Sequence, residues 1–338
     1  LHPVAHSFPT RRSSDLRTNL GLVNLATSPA ELQIDLRSAD GDRLARWTET
    51  LPAHGWRQLN RVLDGVGAGS VEEASAVVRH RSLSGRALVY ASVVDEVTGD
   101  PAFVGPTEPA NGETVVWVPA VAHVDGVGGA TWRSDLTVVA IGEGDARFAI
   151  TLLGDDGTPR TLHLGFEGGS SHRFADVVRT LFGADGAGSI RIVVAEGHLL
   201  VTSRTFTTRP VDAGSYGQFI PGVPEVDAVS DDAVGIVAGL RQSAQYRSNL
   251  GMVNVTPFAV QARVTYVGGN GQTLGSERWR LPGHGRRQAT GALPVAADVA
   301  SAHIEVETPG GRVLAYASVI DNRTGDPTYL PAEVLRAE

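Results

Sequence analysis

The chain has 338 residues, with 29 basic and 37 acidic side chains, a formal net charge of −8 and no cysteine. This length allows two or three domains of roughly 100–200 residues each. Without cysteine there can be no disulfide, zinc–thiolate site or thiol nucleophile. The acidic balance, with arginines scattered among the acids, argues against binding to a nucleic-acid backbone. No apolar stretch reaches the ~20 residues of a membrane helix.

The first sixteen residues do not match the rest of the chain. Residues 7–16, which read SFPTRRSSDL, resemble a translated DNA sequencing adapter. Val4–His6 resemble Val121–His123 in the middle of the chain. We therefore predict that residues 1–16 are an artefact joined to a truncated first strand. The other interpretation is a genuine basic N-terminal arm. Because this start is foreign and the chain opens with leucine, we expect a fragment whose signal peptide cannot be judged.

One octapeptide occurs three times. Arg17–Asn24 (RTNLGLVN), Arg133–Ala140 (RSDLTVVA) and Arg247–Asn254 (RSNLGMVN) follow one another at a spacing of about 115 residues. This spacing is the size of a domain, whereas solenoid units have roughly 20–50 residues. We predict three repeats, at 17–106, 113–222 and 232–338. The linkers 105–112 and 222–232 are rich in proline, glycine or acidic residues.

Within each repeat, alternating strands are separated by turn signals. The octapeptide alternates with period two, and a hairpin with an Asp-Gly or Asn-Gly turn follows it in every copy. Leu59–Leu63 and Phe174–Phe182 predict short helical turns. Further strands are predicted at Ala74–His80, Ser189–Ala195, Ser301–Glu307, Ala87–Asp95 and Val313–Asp321. Six or seven short strands per repeat predict an all-β fold of three tandem β-sandwiches.

The three most distinctive motifs together resemble tandem immunoglobulin-like modules of secreted bacterial proteins. They are RTNLGLVN, the turn LPAHG at Leu51–Gly55 (LPGHG at Leu281–Gly285), and YASVVDEVTGDP at Tyr90–Pro101. The resemblance covers nearly the whole chain after Leu16. It implies an extracellular or cell-surface accessory or adhesive region, and it indicates no particular ligand.

Two acidic turns are the best metal candidates. Calcium binds several hard oxygens that converge from one loop. The same side chains, followed by glycine, also satisfy a turn's own backbone. The middle repeat has Thr207–Pro210 at this place, so the fold does not require an ion there. Turn capping is favoured and calcium stays open, including a calcium-rigidified stalk. The residues are Asp95, Thr98 and Asp100 in repeat 1, and Asp321, Asn322, Thr324 and Asp326 in repeat 3.

Other candidates have a structural interpretation that we favour. Gly65–Gly69 and Gly126–Gly129 lack the order of strand, glycines and helix that binds dinucleotides. His54 and His284 are of the residue type that serves as a general base, but no nucleophile motif accompanies them, so we predict solvated turn histidines. Two tryptophans on one strand face, Trp47 and Trp279, could stack on sugars, and core packing is favoured.

The octapeptide itself is interpreted as a structural signature. In its third copy, alternation places Leu250 and Met252 in the core. Arg247, Asn249 and Gly251 fall on the other face, where Arg and Asn could hold a neighbouring loop.

No catalytic, cofactor-binding or metal-binding residue is assigned, and we expect no enzyme and no cofactor. The sequence predicts a non-catalytic extracellular structural, adhesion or spacer module of a larger bacterial protein. The alternative is a carbohydrate-binding appendage of a secreted hydrolase. The expected partner is a protein or a glycan of unknown identity, and neither nucleic acid nor a membrane span is expected. The ligand, the remaining domains and the oligomeric state stay open.

Overall fold

A computed structural model describes residues 4–9, 16–64, 71, 73–81, 86–105, 115–126, 129–208 and 214–336. Repeat 1 contains β1 (Val4–Pro9), β2 (Leu16–Asn24), β3 (Ala30–Ser38), β4 (Arg43–Leu51), β5 (Trp56–Leu59), β6 (Glu73–His80), β7 (Ala87–Asp95) and β8 (Pro101–Val104). Repeat 2 contains β9 (Val115–Asp125), β10 (Thr131–Ile141), β11 (Ala146–Gly154), β12 (Pro159–Phe166), β13 (Ser171–Phe174), the helix α1 (Val177–Thr180), β14 (Gly186–Glu196), β15 (His198–Thr208) and β16 (Ser215–Pro221).

The connection to repeat 3 carries β17 (Val223–Pro224), a 3-10 turn (Glu225–Asp227) and β18 (Val229–Ser230). Repeat 3 contains β19 (Ala233–Gln242), β20 (Tyr246–Asn254), β21 (Val260–Gly268), β22 (Thr273–Leu281), β23 (Arg286–Ala289), β24 (Ala297–Val306), β25 (Arg312–Asp321), β26 (Pro327–Pro331) and β27 (Glu333–Arg336). The all-β prediction is confirmed. No helix in the described part of the chain could span a membrane.

Each repeat pairs its strands in the same antiparallel order. We call the sheet β1-β6-β3-β4 sheet I of repeat 1, and β5-β2-β7-β8 its sheet II. In repeat 2 the corresponding orders are β9-β14-β11-β12 and β13-β10-β15-β16, and pairing of β9 with β10 joins them. In repeat 3 they are β19-β24-β21-β22, extended by β27, and β23-β20-β25-β26, with β18 also paired to β25. We number the strands of each repeat from one to eight in chain order. The pairs two–five and three–six also occur in the immunoglobulin arrangement, but here strand seven pairs with strand two, whereas in that arrangement it pairs with strand six.

One apolar core fills the space between the two sheets of each repeat. The octapeptide strand supplies its centre: Leu20 and Leu22, Leu136 and Val138, and Leu250 and Met252 are all fully buried. The prediction that Leu250 and Met252 lie in the core is therefore correct. Alternation of apolar residues along β3, β11 and β21 covers the core from sheet I.

The polar residues of the octapeptide hold loops of their own repeat. Asn19 accepts a hydrogen bond from the Arg61 N–H (3.0 Å), and Asn249 accepts one from Gly291 (3.3 Å). Asn254 donates to the carbonyls of Phe258 (2.7 Å) and Pro282 (2.8 Å), and so fastens the LPGHG turn. Asn24 makes the equivalent bonds to the LPAHG turn. The middle repeat has no LPxHG turn, and its octapeptide ends in Ala140 where the other two end in asparagine.

The predicted helical turns have different outcomes. Phe174–Phe182 contains α1, followed by a glycine loop that runs from helix to strand, as expected for a structural loop. Leu59 instead ends β5, and the residues after it form a hydrogen-bonded turn in which Arg61 has φ 50°. The Asp64 N–H donates to the Arg61 carbonyl at 3.0 Å, so a single tight turn stands where a helical turn was predicted, and the Asn19 side chain accepts from its Arg61 N–H. Residues 65–69 and 127–128 of the other glycine-rich stretches lie outside the described residues.

The first strand includes part of the adapter-like segment. β1 pairs with β6 from Val4 opposite Val78 to Pro9 opposite Glu73, so residues 7–9 belong to it. His6 lies opposite Ala76, whereas Val118 lies opposite the equivalent Ile190. The expected correspondence of Val4–His6 with Val121–His123 is therefore wrong in register. Residues 10–15 lie outside the described part of the chain.

Sheet I of each repeat packs on sheet II of the next repeat. Val77 of repeat 1 contacts Val139 and Leu200 of repeat 2. Trp117 of repeat 2 packs in the same way on repeat 3, in a cluster that includes Val253. This packing brings the acidic turns of repeats 1 and 3 towards the final strand of repeat 2.

Candidate interaction site at the junction of the repeats

The two acidic turns have the same internal structure. The Asp95 side chain accepts hydrogen bonds from the N–H groups of Val97 (2.9 Å) and Thr98 (3.0 Å) through Oδ1. In the second turn Asp321 accepts them from Arg323 (2.7 Å) and Thr324 (3.1 Å). These contacts are the backbone capping that the sequence favoured. No three His, Cys, Asp or Glu side chains within the described ranges are arranged to hold a metal ion.

In repeat 1 this turn also binds repeat 2. Asp95 Oδ2 accepts from the backbone N–H and the hydroxyl of Ser215, at 2.9 and 3.0 Å. Asp100 Oδ2 accepts from the Gly217 N–H at 2.9 Å. Burial of Asp95 disfavours its ionised form, but hydrogen bonds from Thr98, Ser215 and Val97 prevail and hold its pKa below the usual value. The turn therefore serves as a clasp between two repeats.

A pair of carboxyl groups joins repeats 1 and 3. Asp100, only 6% exposed, lies close enough to Asp326 of repeat 3 for each carboxyl group to affect the pKa of the other. Burial raises the pKa of both, and the neighbouring Asp100 charge adds to the effect on Asp326, whose pKa rises to about 7. Two close carboxylates cannot both ionise at low cost, so the pair holds a proton near neutral pH. The sequence pointed to both residues as turn aspartates but did not predict that they lie close together.

The same junction contains a cavity of about 290 Å³. It is surrounded by β8, β16 and β26, the last sheet II strand of each repeat. Matching register positions supply its aromatic walls, namely Phe103, Phe219 and Tyr329. Pro101 and Pro327, which follow Asp100 and Asp326 in the sequence, also line it.

The turn histidines lie in different surroundings. Both have a left-handed backbone, with φ 54° at His54 and 55° at His284. His54 is exposed, as predicted. His284 is half-buried, with its ring 5.6 Å from that of Trp117, and burial followed by the charge of Arg191 lowers its pKa. A solvated histidine is wrong at His284 because repeat 2 covers this turn of repeat 3.

The two tryptophans considered for sugar stacking do not form an exposed platform. Trp279 is fully buried, with the Arg287 guanidinium 4.5 Å from its ring centre. Trp47 is partly buried against the core of repeat 1, and its indole N–H donates to Glu49 at 3.2 Å. Trp56, which the sequence did not single out, is 60% exposed.

Contacts between repeats 2 and 3 were not found from the sequence. Asp155, at the tip of the β11–β12 hairpin, forms an ion pair with Arg286, with Nε 3.1 Å from Oδ1. Arg286 also donates to the Tyr316 hydroxyl at 3.1 Å. Trp117 donates to Glu225 at 3.0 Å. The only signal was the unbroken apolar run in strands such as Val138–Ile141, which is typical of burial on both faces.

Removal of the buried Asp95 side chain should be more costly than removal of Asp321, its less buried counterpart in repeat 3. We expect Asp95→Ala to lower the free energy of unfolding by about 2–4 kcal/mol, because four hydrogen bonds to a buried carboxylate are lost. Asp321→Ala loses two solvent-accessible bonds and should cost about 1 kcal/mol. Urea denaturation measures both.

Calcium provides the matching ligand test. Because the turn oxygens are already bonded to N–H groups, millimolar calcium should leave the melting temperature unchanged. A rise of more than about 3 °C, removed by Asp321→Ala, would contradict the capping role and indicate a bound ion.

Neither a protein-family model nor a curated protein matches the sequence. Among solved structures, a tetra-tandem repeat from the extending region of a large adhesion protein is similar at 15% identity, covering 96% of this chain and 74% of that one with a TM-score of 0.14. The Streptomyces avermitilis α-L-rhamnosidase is similar at 10% identity, covering 93% and 38% with a TM-score of 0.22. Latent PorU of Porphyromonas gingivalis is similar at 12% identity, covering 96% and 30% with a TM-score of 0.18. The chain thus spans about a third of the last two proteins, and at these TM-scores none carries an argument about function.

Proposed function

We propose that this chain is a non-catalytic, extracellular structural module of adhesion or spacer type from a larger bacterial protein, with three immunoglobulin-like repeats that act as one rigid body. The observation that carries the proposal is the packing of sheet I on sheet II between successive repeats. Each interface combines an apolar cluster with polar contacts, and Asp95 and Arg286 lie in these contacts.

The connection between repeats 2 and 3 supports rigidity. Val223 and Pro224 pair with β9 of repeat 2, and Val229 and Ser230 pair with β25 of repeat 3. A flexible linker would be solvated and unpaired. This one adds a short strand to each neighbour, so it restricts the motion of one repeat against the other.

Trp117→Ala tests the rigid body. Removing this buried indole should cost about 3–5 kcal/mol and uncouple repeat 3 from repeat 2. We expect calorimetry to resolve a separate transition, and small-angle X-ray scattering to show a larger radius of gyration than for the unsubstituted chain. Trp56→Ala, which removes an exposed tryptophan, is the matched control for calorimetry and should not produce a separate transition. The proposal fails if the unsubstituted chain already scatters as a flexible string of independent domains.

The second candidate function is a carbohydrate-binding appendage of a secreted hydrolase. The exposed indole of Trp56, beside the half-buried Tyr90 ring, is the observation in its favour. A glycan array probed with the chain and with Trp56→Ala decides the matter. Binding to a polysaccharide that the substitution removes would support the appendage. Absence of binding to every polysaccharide would exclude it.

A further inference from the structure

One set of apolar positions on the outer face of sheet II is buried in repeats 2 and 3. In repeat 3, Val253, Val255 and Leu314 are 0%, 2% and 6% exposed beneath Trp117. Val253 lies directly opposite Leu314 in the sheet. Sheet I of the preceding repeat therefore keeps these side chains out of water.

Repeat 2 uses the same positions in the same way. Val139 lies opposite Leu200, and the two are 5% and 1% exposed beneath Val77 of repeat 1. Ile141, the third member of the set, packs against this cluster. The burial of this triplet is thus a property of the interface between successive repeats, observed twice.

Repeat 1 has the triplet without a cover. Val23 lies opposite Leu88, which is 42% exposed, and Leu25 is 51% exposed. Two aromatic residues of the same sheet, Trp56 and Phe103, are each 60% exposed. Trp56 occupies the register position that Arg286 has in repeat 3. Neighbouring exposed apolar side chains of this size are typical of an interaction surface. We call this surface the acceptor face.

The other half of the interface is present at the opposite end of the molecule. Repeat 2 covers repeat 3 with Val115, Trp117 and Leu153. In sheet I of repeat 3, register places Val234, Ile236 and Val267 at these three positions, and all are partly exposed. Val299, beside the tip of the β21–β22 hairpin, is 60% exposed. We call this surface the donor face.

We propose that copies of this chain associate head to tail, with the donor face of repeat 3 in one copy docked on the acceptor face of repeat 1 in the next. The contact would repeat the packing between repeats 1 and 2 and between repeats 2 and 3. It is heterologous, since two different surfaces meet, so it does not close at a dimer and permits linear chains. The area of one sheet face puts it at the small end of protein interfaces, and micromolar association is expected.

The test is sedimentation velocity of the 338-residue chain from about 5 to about 500 µM, a range that spans the affinity expected of a small interface. We expect the weight-average mass to rise with concentration beyond that of a dimer. Leu88→Arg disables the acceptor face and Ile236→Arg disables the donor face, so each variant alone should be monomeric. An equimolar mixture should form dimers and nothing larger, because each dimer joins the one intact donor face to the one intact acceptor face.

Leu162→Arg, which charges a leucine on β12 of repeat 2 away from both faces, is the matched control and should associate like the unsubstituted chain. Melting curves verify that every variant is folded. A chain that stays monomeric throughout the range would overturn the proposal, as would association that persists in Leu88→Arg. The rigidity test with Trp117→Ala concerns contacts within one chain, so failure of either proposal can be recognised separately from failure of the other.

Discussion

Gly251→Ala is expected to destabilise repeat 3 by about 2–4 kcal/mol, because the new methyl group has no space. A Cβ on Gly251 would lie 2.1 Å from Cζ of Tyr316, directly across the sheet. The Tyr316 ring cannot move aside, since it is 1% exposed and its hydroxyl bonds Arg286 (3.1 Å) and Gln288 (3.0 Å). Repeat 2 covers this ring through the Asp155–Arg286 ion pair.

The first repeat contains a matched control for this substitution. Gly21 faces Tyr90, and a Cβ there would also lie 2.1 Å from Cζ of the ring. Tyr90 is half-buried, however, and its hydroxyl contacts the exposed Trp56. Its ring can rotate towards solvent, so Gly21→Ala should cost about 1 kcal/mol. Urea denaturation of both variants measures the difference. Equal losses would show that the cover by repeat 2 is not what holds the Tyr316 ring.

This glycine shows which part of the repeated motif the sequence could not explain. Alternation placed Leu250 and Met252 in the core correctly, because a strand's two faces follow directly from its period. The glycine is required by Tyr316, which lies on another strand far along the chain, so no local pattern contains the reason. In repeat 2 the pair is Thr137 opposite Thr202, and neither an aromatic ring nor a glycine is needed.

At the candidate site, too, local features could be predicted from the sequence and contacts between distant residues could not. The sequence predicted the turns at Asp95 and Asp321, because an Asp-x-x-Thr-Gly pattern caps its own backbone locally. It could not bring Asp100 to Asp326, since that contact depends on how three repeats stack. The apolar run Val138–Ile141 of β10 is a local signal of burial on both faces, whereas the octapeptide strands β2 and β20 follow the period-two pattern. Which sheet covers each of these strands is decided by tertiary packing.

The proton shared by Asp100 and Asp326 connects this packing to pH. Burial and the Asp100 charge raise the pKa of Asp326 from the usual 3.8 to about 7. Between these values the folded chain holds a proton that the unfolded chain releases, so the free energy of unfolding falls as pH rises. The stabilisation is complete below the usual pKa and is lost as pH passes about 7. Above that pH, two charges at the junction repel each other and loosen repeat 1 from repeat 3.

Asp326→Asn should remove this pH dependence, since an amide donates a hydrogen bond to Asp100 without a titrating proton. At or below about pH 4 the variant and the unsubstituted chain should have similar stability, and near pH 8 the variant should be more stable by about 1–2 kcal/mol, a figure reduced for partial solvent screening. Asp321→Asn is the control in the same turn. Hydrogen bonds from Thr324 and Arg323 hold the pKa of Asp321 below its usual value, so its loss should not stabilise the fold at pH 8. Urea denaturation across this range checks both variants. If Asp326→Asn follows the unsubstituted chain at every pH, the carboxyl pair does not share a proton, and the junction is held by the hydrogen bonds of Asp95 and Asp100 to repeat 2 and by the apolar contacts.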